Sequence, residues 1–160
     1  MNQQRLLERF LDYVRIDTTA DDAAESYPSC SGQWVLGELL VDQLLAIGLA
    51  DVRQDEHGLV WATIPSNATG EKPVVVLNAH LDTSPETSGA GVVPQVIRDY
   101  RGGDIVLPGD AKQVISVADN PELDHLHGCT LVTSDGTTLL GGDDKAGIAI
   151  IVEVAAHLME

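Results

Sequence analysis

Residues 74–85 read VVVLNAHLDTSP, and how this stretch is read decides the fold. Val74 to Leu77 is a continuous β-branched and aliphatic run with Pro73 before it. A run this short, apolar on both faces, predicts a central strand covered by helices on either side. His80 and Asp82 then fall just past its carboxyl end, where open α/β sheets bind their ligands. Two readings of that pair stay open. An imidazole that ligates a metal through one ring nitrogen needs the other nitrogen held, and a carboxylate two residues on is placed to hold it. Alternatively, His80 closes a strand and Asp82 starts an Asx turn.

On the amino-terminal side, Leu6, Leu7, Phe10, Leu11 and Val14 recur at helical spacing and predict a helix over 3–15. DTTADDAAESYPSCSG (17–32) has the small, polar composition of a loop. A second helix fits 32–47, with Leu36, Leu39, Leu40, Leu44 and Ile47 on one face, Ser29 or Ser31 as cap and Gly48 as its end. Short strands follow at 51–55 and 59–64, joined by a turn at Glu56-His57-Gly58.

On the carboxyl side, 84–128 is rich in Gly, Pro and Asp, with weak strand signals at Val92–Ile97 and Ile105–Leu107. It reads as an irregular or hairpin-bearing excursion. CTLVTSDGTTLLGGDDKAG (129–147) predicts strand, Asp-Gly turn, short strand and a glycine pair. A third helix starts near Lys145, with Ile148, Ile151, Val152, Ala155 and Leu158 facing the core. Helices alternating with buried strands predict one three-layer α/β/α domain over 1–160. No capping residue, glycine or proline ends the last helix before Glu160, so the domain is expected to be cut short within it.

Composition narrows the function. The 160 residues are 44% hydrophobic, enough for a core, but only 4% aromatic, so that core must be mainly Val, Ile, Leu and Ala. Nine Lys and Arg against 25 Asp and Glu give a formal charge of −16, which repels phosphate backbones and anionic lipid; neither nucleic-acid nor membrane partners are expected. Cys30 and Cys129 are widely spaced, as in reduced cytoplasmic proteins. The amino terminus has no signal-peptide core, and AGIAIIVEVAAHLM (146–159) is too short to span a bilayer; a cytoplasmic protein is expected.

GGDDKAG (141–147) supplies a second cluster, two adjacent carboxylates at the mouth of a helix. Such carboxylates can be caps that interact with the helix dipole. Two clusters of hard ligands, each after a strand, also match a hydrolytic site in which one carboxylate bridges two metal ions. His57 lies in a turn, and His125 and His127 in the irregular region read as exposed loop histidines rather than as an H-x-H zinc pair. His157 is expected to face water. LDTS and SDGTT resemble the paired elements of aspartic proteases, but those enzymes are all-β, against the helical patterns here. No Walker loop, GxGxxG or GxSxG occurs.

NAHLDTSP and DGTTLLGGDDKAGIA together resemble the metallopeptidase family that contains carboxypeptidase G2, aminoacylase and the tripeptide aminopeptidases. The family's H-x-D element is matched by His80-Leu81-Asp82 and its D-x-K by Asp143-Asp144-Lys145. Within the family, ERFLDYVRIDT, HLDTSPETSG, VPQVIRDYRGGDI and DGTTLLGGDDKAGIA resemble the peptidase T branch, in that order along the chain. The resemblance covers nearly the whole chain and is weakest through 109–128.

It implies a zinc-peptidase fold and hydrolysis releasing the N-terminal residue of tripeptides, with two Zn2+ per complete site. By resemblance His80 ligates one zinc, Asp143 bridges both, Asp82 orients His80, and the Asp143–Asp144 peptide is cis. The family's general-base glutamate, a glutamate ligand, a further aspartate ligand, a final histidine and the lid domain with its dimer contacts all lie beyond Glu160. A homodimer is thus implied for the full-length protein only. Gly142 stands where relatives often have Ala. The alternative is that the 160-residue chain exists as such and is inactive, at most a metal-binding or partner-binding remnant.

Overall fold

Asn2 opens the first helix: its side-chain oxygen accepts the Arg5 amide at 3.1 Å, satisfying a donor that a helix start leaves free. A computed structural model describes residues 1–160, with helices α1 (Gln3–Val14), α2 (Ser31–Ala46) and α3 (Gly142–Met159). Cys30, not Ser29 or Ser31, occupies the cap position of α2 and makes no side-chain cap bond. Gly48 ends α2 as expected. At φ +99° its amide bonds to Leu45 O (2.9 Å) while the Leu49 amide reaches Leu44 O (3.3 Å), the paired pattern of a Schellman stop.

The three helices share one core of Tyr13, Leu36, Leu40, Leu44, Leu49, Ile148, Ala149, Val152 and Ala155. Of the expected core residues on α3, Ile151 is only half-buried and Leu158 is exposed. Tyr13 is fully buried, and its hydroxyl donates at 2.5 Å to Gln43 Oε1, which also accepts Arg9 Nη1 at 2.8 Å. Burial pushes the Tyr13 phenol up to about 12.

Glu153, which the sequence places only as a residue inside α3, is fully buried and fastens α1 to α3. Its Oε1 accepts the Asn2 amide (2.7 Å) and Arg5 Nη2 (2.9 Å), while Oε2 accepts Arg5 Nε (2.7 Å).

The strands form three two-stranded antiparallel pairs. β1 (Val52–Gln54) pairs with β2 (Val60–Ala62) across a turn in which Asp55 Oδ1 accepts the His57 and Leu59 amides at 3.0 Å. β3 (Gln95–Ile97) pairs with β6 (Leu131–Thr133), and β4 (Ile105–Val106) with β5 (Val114–Ile115). A 3-10 turn covers Pro121–His125. No helix is long and apolar enough to cross a membrane.

Two strand expectations are corrected. Val74–Leu77 belongs to no sheet, and its side chains are 88, 78, 76 and 56% exposed. A strand exists through its ladder, and no other segment of this chain lies alongside to supply one. The Asp135-Gly136 turn does not fold β6 back on itself either. β6 takes β3 as its partner, and the following segment docks on residue 88 through the Leu139 amide on Ser88 O at 2.9 Å. The chain is therefore a mixed helix and strand unit with a helical core and no continuous central sheet.

Candidate metal centre

The segment 79–83 alternates sides. Ala79 and Leu81 pack against the helical core, which turns His80 outward between them. Thr83 fixes the end of the segment: its amide donates to Thr18 O (3.1 Å) and its carbonyl accepts the Ala20 amide (2.9 Å). The strand end is thus held by the loop after α1, although no sheet forms.

The second arm is the entrance to α3. Asp143 (φ −92°, ψ 103°) and Asp144 (φ −122°, ψ 31°) are not helical, so the regular helix starts at Lys145, as the sequence suggests. The Asp143–Asp144 peptide is cis, the form the resemblance implies. The two carboxylates divide their tasks. Asp144 Oδ1 accepts the Gly147 amide at 3.2 Å and caps the first turn. Asp143, its side chain 95% exposed, is left to face His80.

His80, Asp82 and Asp143 come together, though 63 residues separate His80 from Asp143. His80 Nδ1 lies 2.9 Å from the Asp82 carbonyl oxygen and 3.2 Å from Asp82 Oδ1. A carbonyl oxygen only accepts, so Nδ1 carries the proton. Nε2 then faces Asp143 Oδ1 at 3.0 Å. Two lone-pair atoms at that distance need a positive centre, either a proton on Nε2 or a cation held by both. Partial burial works to lower the His80 pKa, but the hydrogen bonds to Asp143 and Asp82, with their charges, outweigh it and the net direction is upward. His57, His125 and His127 lie away from this cluster, and His157 is solvent-exposed at the far end of α3.

Sequence reasoning placed Lys145 in the D-x-K element but missed its burial and the loop that receives it. The Lys145 side chain is buried, Nζ donates to Ile16 O at 2.7 Å, and burial pushes its pKa down to about 8. In the same loop the Thr19 hydroxyl and amide bond to Asp17 Oδ1 (2.6 and 3.0 Å), holding the Asp17 carboxyl below its usual range. The signal available was the lysine inside GGDDKAG itself.

No protein-family model matches the chain. Similar curated proteins include two named Peptidase T. That of Geobacillus kaustophilus (strain HTA426) is 49% identical over 158 residues, 99% of this chain and 38% of the relative. That of Vibrio atlanticus (strain LGP32) is 48% identical over 155 residues, 97% of this chain and 38% of the relative. Among solved structures, the crystal structure of a tripeptidase from Staphylococcus aureus subsp. aureus Mu50 matches with a TM-score of 0.59 at 28% identity. That match covers 97% of this chain and 32% of the other. The chain therefore spans about 38% of the length of these curated relatives. Over nearly all of its own length, it is a homologue of the Peptidase T proteins.

Proposed function

We propose that this chain carries part of the active site of a zinc-dependent tripeptide aminopeptidase, which releases the N-terminal residue of a tripeptide. The observation that carries the reading is the approach of His80 Nε2 to Asp143 Oδ1 at 3.0 Å with Nδ1 already committed to Asp82. The relatives named Peptidase T and the tripeptidase neighbour support the substrate class.

The donor set suits zinc, which takes imidazole nitrogen and carboxylate oxygen. His80 Nε2 would ligate one ion and Asp143 would lie between two, while Asp82 holds Nδ1 protonated so that Nε2 keeps its lone pair. When bound, zinc supplies Lewis-acid polarisation of the scissile carbonyl and an activated water. The roles of this chain's residues are to hold and to orient. In the same reading Val74–Leu77 is the central strand of an α/β/α sheet in the full-length protein, which accounts for apolar side chains open on both faces.

A second reading concerns the 160 residues alone. His80 and Asp143 give two opposed donors where zinc usually takes four ligands, so the isolated chain would bind metal weakly and cleave nothing. The test is release of the N-terminal residue from a tripeptide, measured on the full-length protein and on the 160-residue chain. The full-length protein should cleave, lose activity to a chelator and regain it with Zn2+, while the shorter chain stays inactive. A zinc-loaded full-length protein without tripeptide hydrolysis would overturn the reading.

A further inference from the structure

Lys145 is one of three lysines in the chain, and the other two, Lys72 and Lys112, are exposed. Its side chain is 1% exposed, and its single hydrogen bond runs to a backbone carbonyl, Ile16 O at 2.7 Å. No carboxylate lies within ion-pair distance of the ammonium. Burying an ammonium against a carbonyl is a costly way to fill space, since an apolar chain of the same length would do so without desolvating a charge. The position calls for what the charge holds in place.

Ile16 opens the loop that also grips the segment after His80. Thr18 O accepts the Thr83 amide, Thr83 O accepts the Ala20 amide, and Thr19 and Thr83 form a parallel bridge. Gly141 sits where the parts converge. A Cβ there would lie 3.2 Å from Thr83 Cγ2 and 3.5 Å from both Cδ and Nζ of Lys145. One short loop therefore receives both arms of the metal centre, the 80–83 segment through Thr83 and the α3 entrance through Lys145.

We infer that Lys145 is a positioning residue: anchored on the Ile16 carbonyl, its ammonium fixes the α3 entrance against the segment after His80 and so sets the separation of His80 Nε2 from Asp143 Oδ1. The inference rests on reading that pair as metal donors. It gives the buried lysine a function that does not require it to touch substrate or metal.

The test uses the full-length protein and reads zinc affinity by calorimetry beside the melting temperature of the metal-free form. Lys145→Met keeps an unbranched side chain one atom shorter and removes the charge. It should melt within a few degrees of wild type but bind zinc about tenfold or more weakly, as when a group that orients a ligand is lost. A folded Lys145→Met with wild-type zinc affinity would overturn the inference. His80→Ala runs alongside. If it too binds zinc like wild type, the metal reading itself fails, whereas loss of zinc in His80→Ala alone removes only the role of Lys145.

Should Lys145→Met not fold, reductive methylation of the wild-type protein decides. Zinc that draws the α3 entrance onto the loop at Ile16 should hold Lys145 more firmly in its buried position and slow its modification several-fold, while Lys72 and Lys112 react unchanged. Equal rates at Lys145 with and without zinc would overturn the inference.

Discussion

His80 Nε2 and Asp143 Oδ1 stand 3.0 Å apart although they arrive on different arms, one from a segment braced by Ala79 and Leu81, the other from the α3 entrance. Neither arm depends on a sheet. Thr83 ties the first to the loop after α1, and the Lys145 ammonium ties the second to the same loop. The meeting is thus a property of the helical core and one loop, all of it within these 160 residues.

Asp143 and Asp82 should rank by what they touch. In the full-length protein, Asp143→Ala removes the carboxylate proposed to lie between two metal ions and should lower tripeptide hydrolysis more than about 100-fold, beyond the ~10–100-fold typical of groups that only orient a ligand. Asp82→Ala should stay near the low end of that range, about tenfold, because the Asp82 backbone carbonyl, at 2.9 Å, still holds Nδ1. Steady-state rates on one tripeptide decide, and an Asp82→Ala as damaged as Asp143→Ala would contradict the ranking.

Gly32 should tolerate no side chain. A Cβ there would sit 1.6 Å from Asp17 O, so α2 and the loop that grips both arms of the site would have to separate. Gly32→Ala is expected to destabilise by at least the ~1–3 kcal/mol of ordinary overpacking, since backbone rather than a flexible side chain must move. Denaturant unfolding measures this, and a midpoint equal to wild type would refute the close approach.

Acid should release the α1–α3 clasp. The Arg5 guanidinium, with the Asn2 amide, holds the Glu153 carboxyl down to about 2, against an ordinary value of 4.5. A depressed pKa means stability that is fully present above pH 4.5 and lost as the pH falls toward 2. Glu153→Gln should therefore melt well below wild type at neutral pH, with the gap closing across that window. At neutral pH its cost should fall below the ~3–5 kcal/mol of a fully buried pair, because Arg5 remains partly in water. A gap independent of pH would show that the ion pair is not what Glu153 contributes.

What the sequence discloses follows the range of the forces involved. Helical periodicity marks α1, α2 and α3 to within a residue or two, and Gly48 marks the stop of α2, because both signals are local. The β1–β2 pair is legible for the same reason, with its strands only five residues apart. Val74–Leu77 forms no strand within these residues because apolar β-branched composition states a preference for a sheet, while the ladder must come from elsewhere. β6 pairs with β3 over some 35 residues, which the adjacent Asp-Gly turn could not announce. His80, Asp82 and Asp143 were visible as hard ligands at element ends. The burial of Glu153 and Lys145 was not, since it depends on partners 148 and 129 residues away.

The most direct measurement is diffraction at the zinc absorption edge from crystals of the full-length protein grown with Zn2+. An anomalous peak bonded to both His80 Nε2 and an Asp143 carboxylate oxygen, at about 2.0–2.2 Å from each, is the predicted result. A zinc peak that touches neither residue, or His80 and Asp143 still in direct contact with no metal between them, would contradict the account.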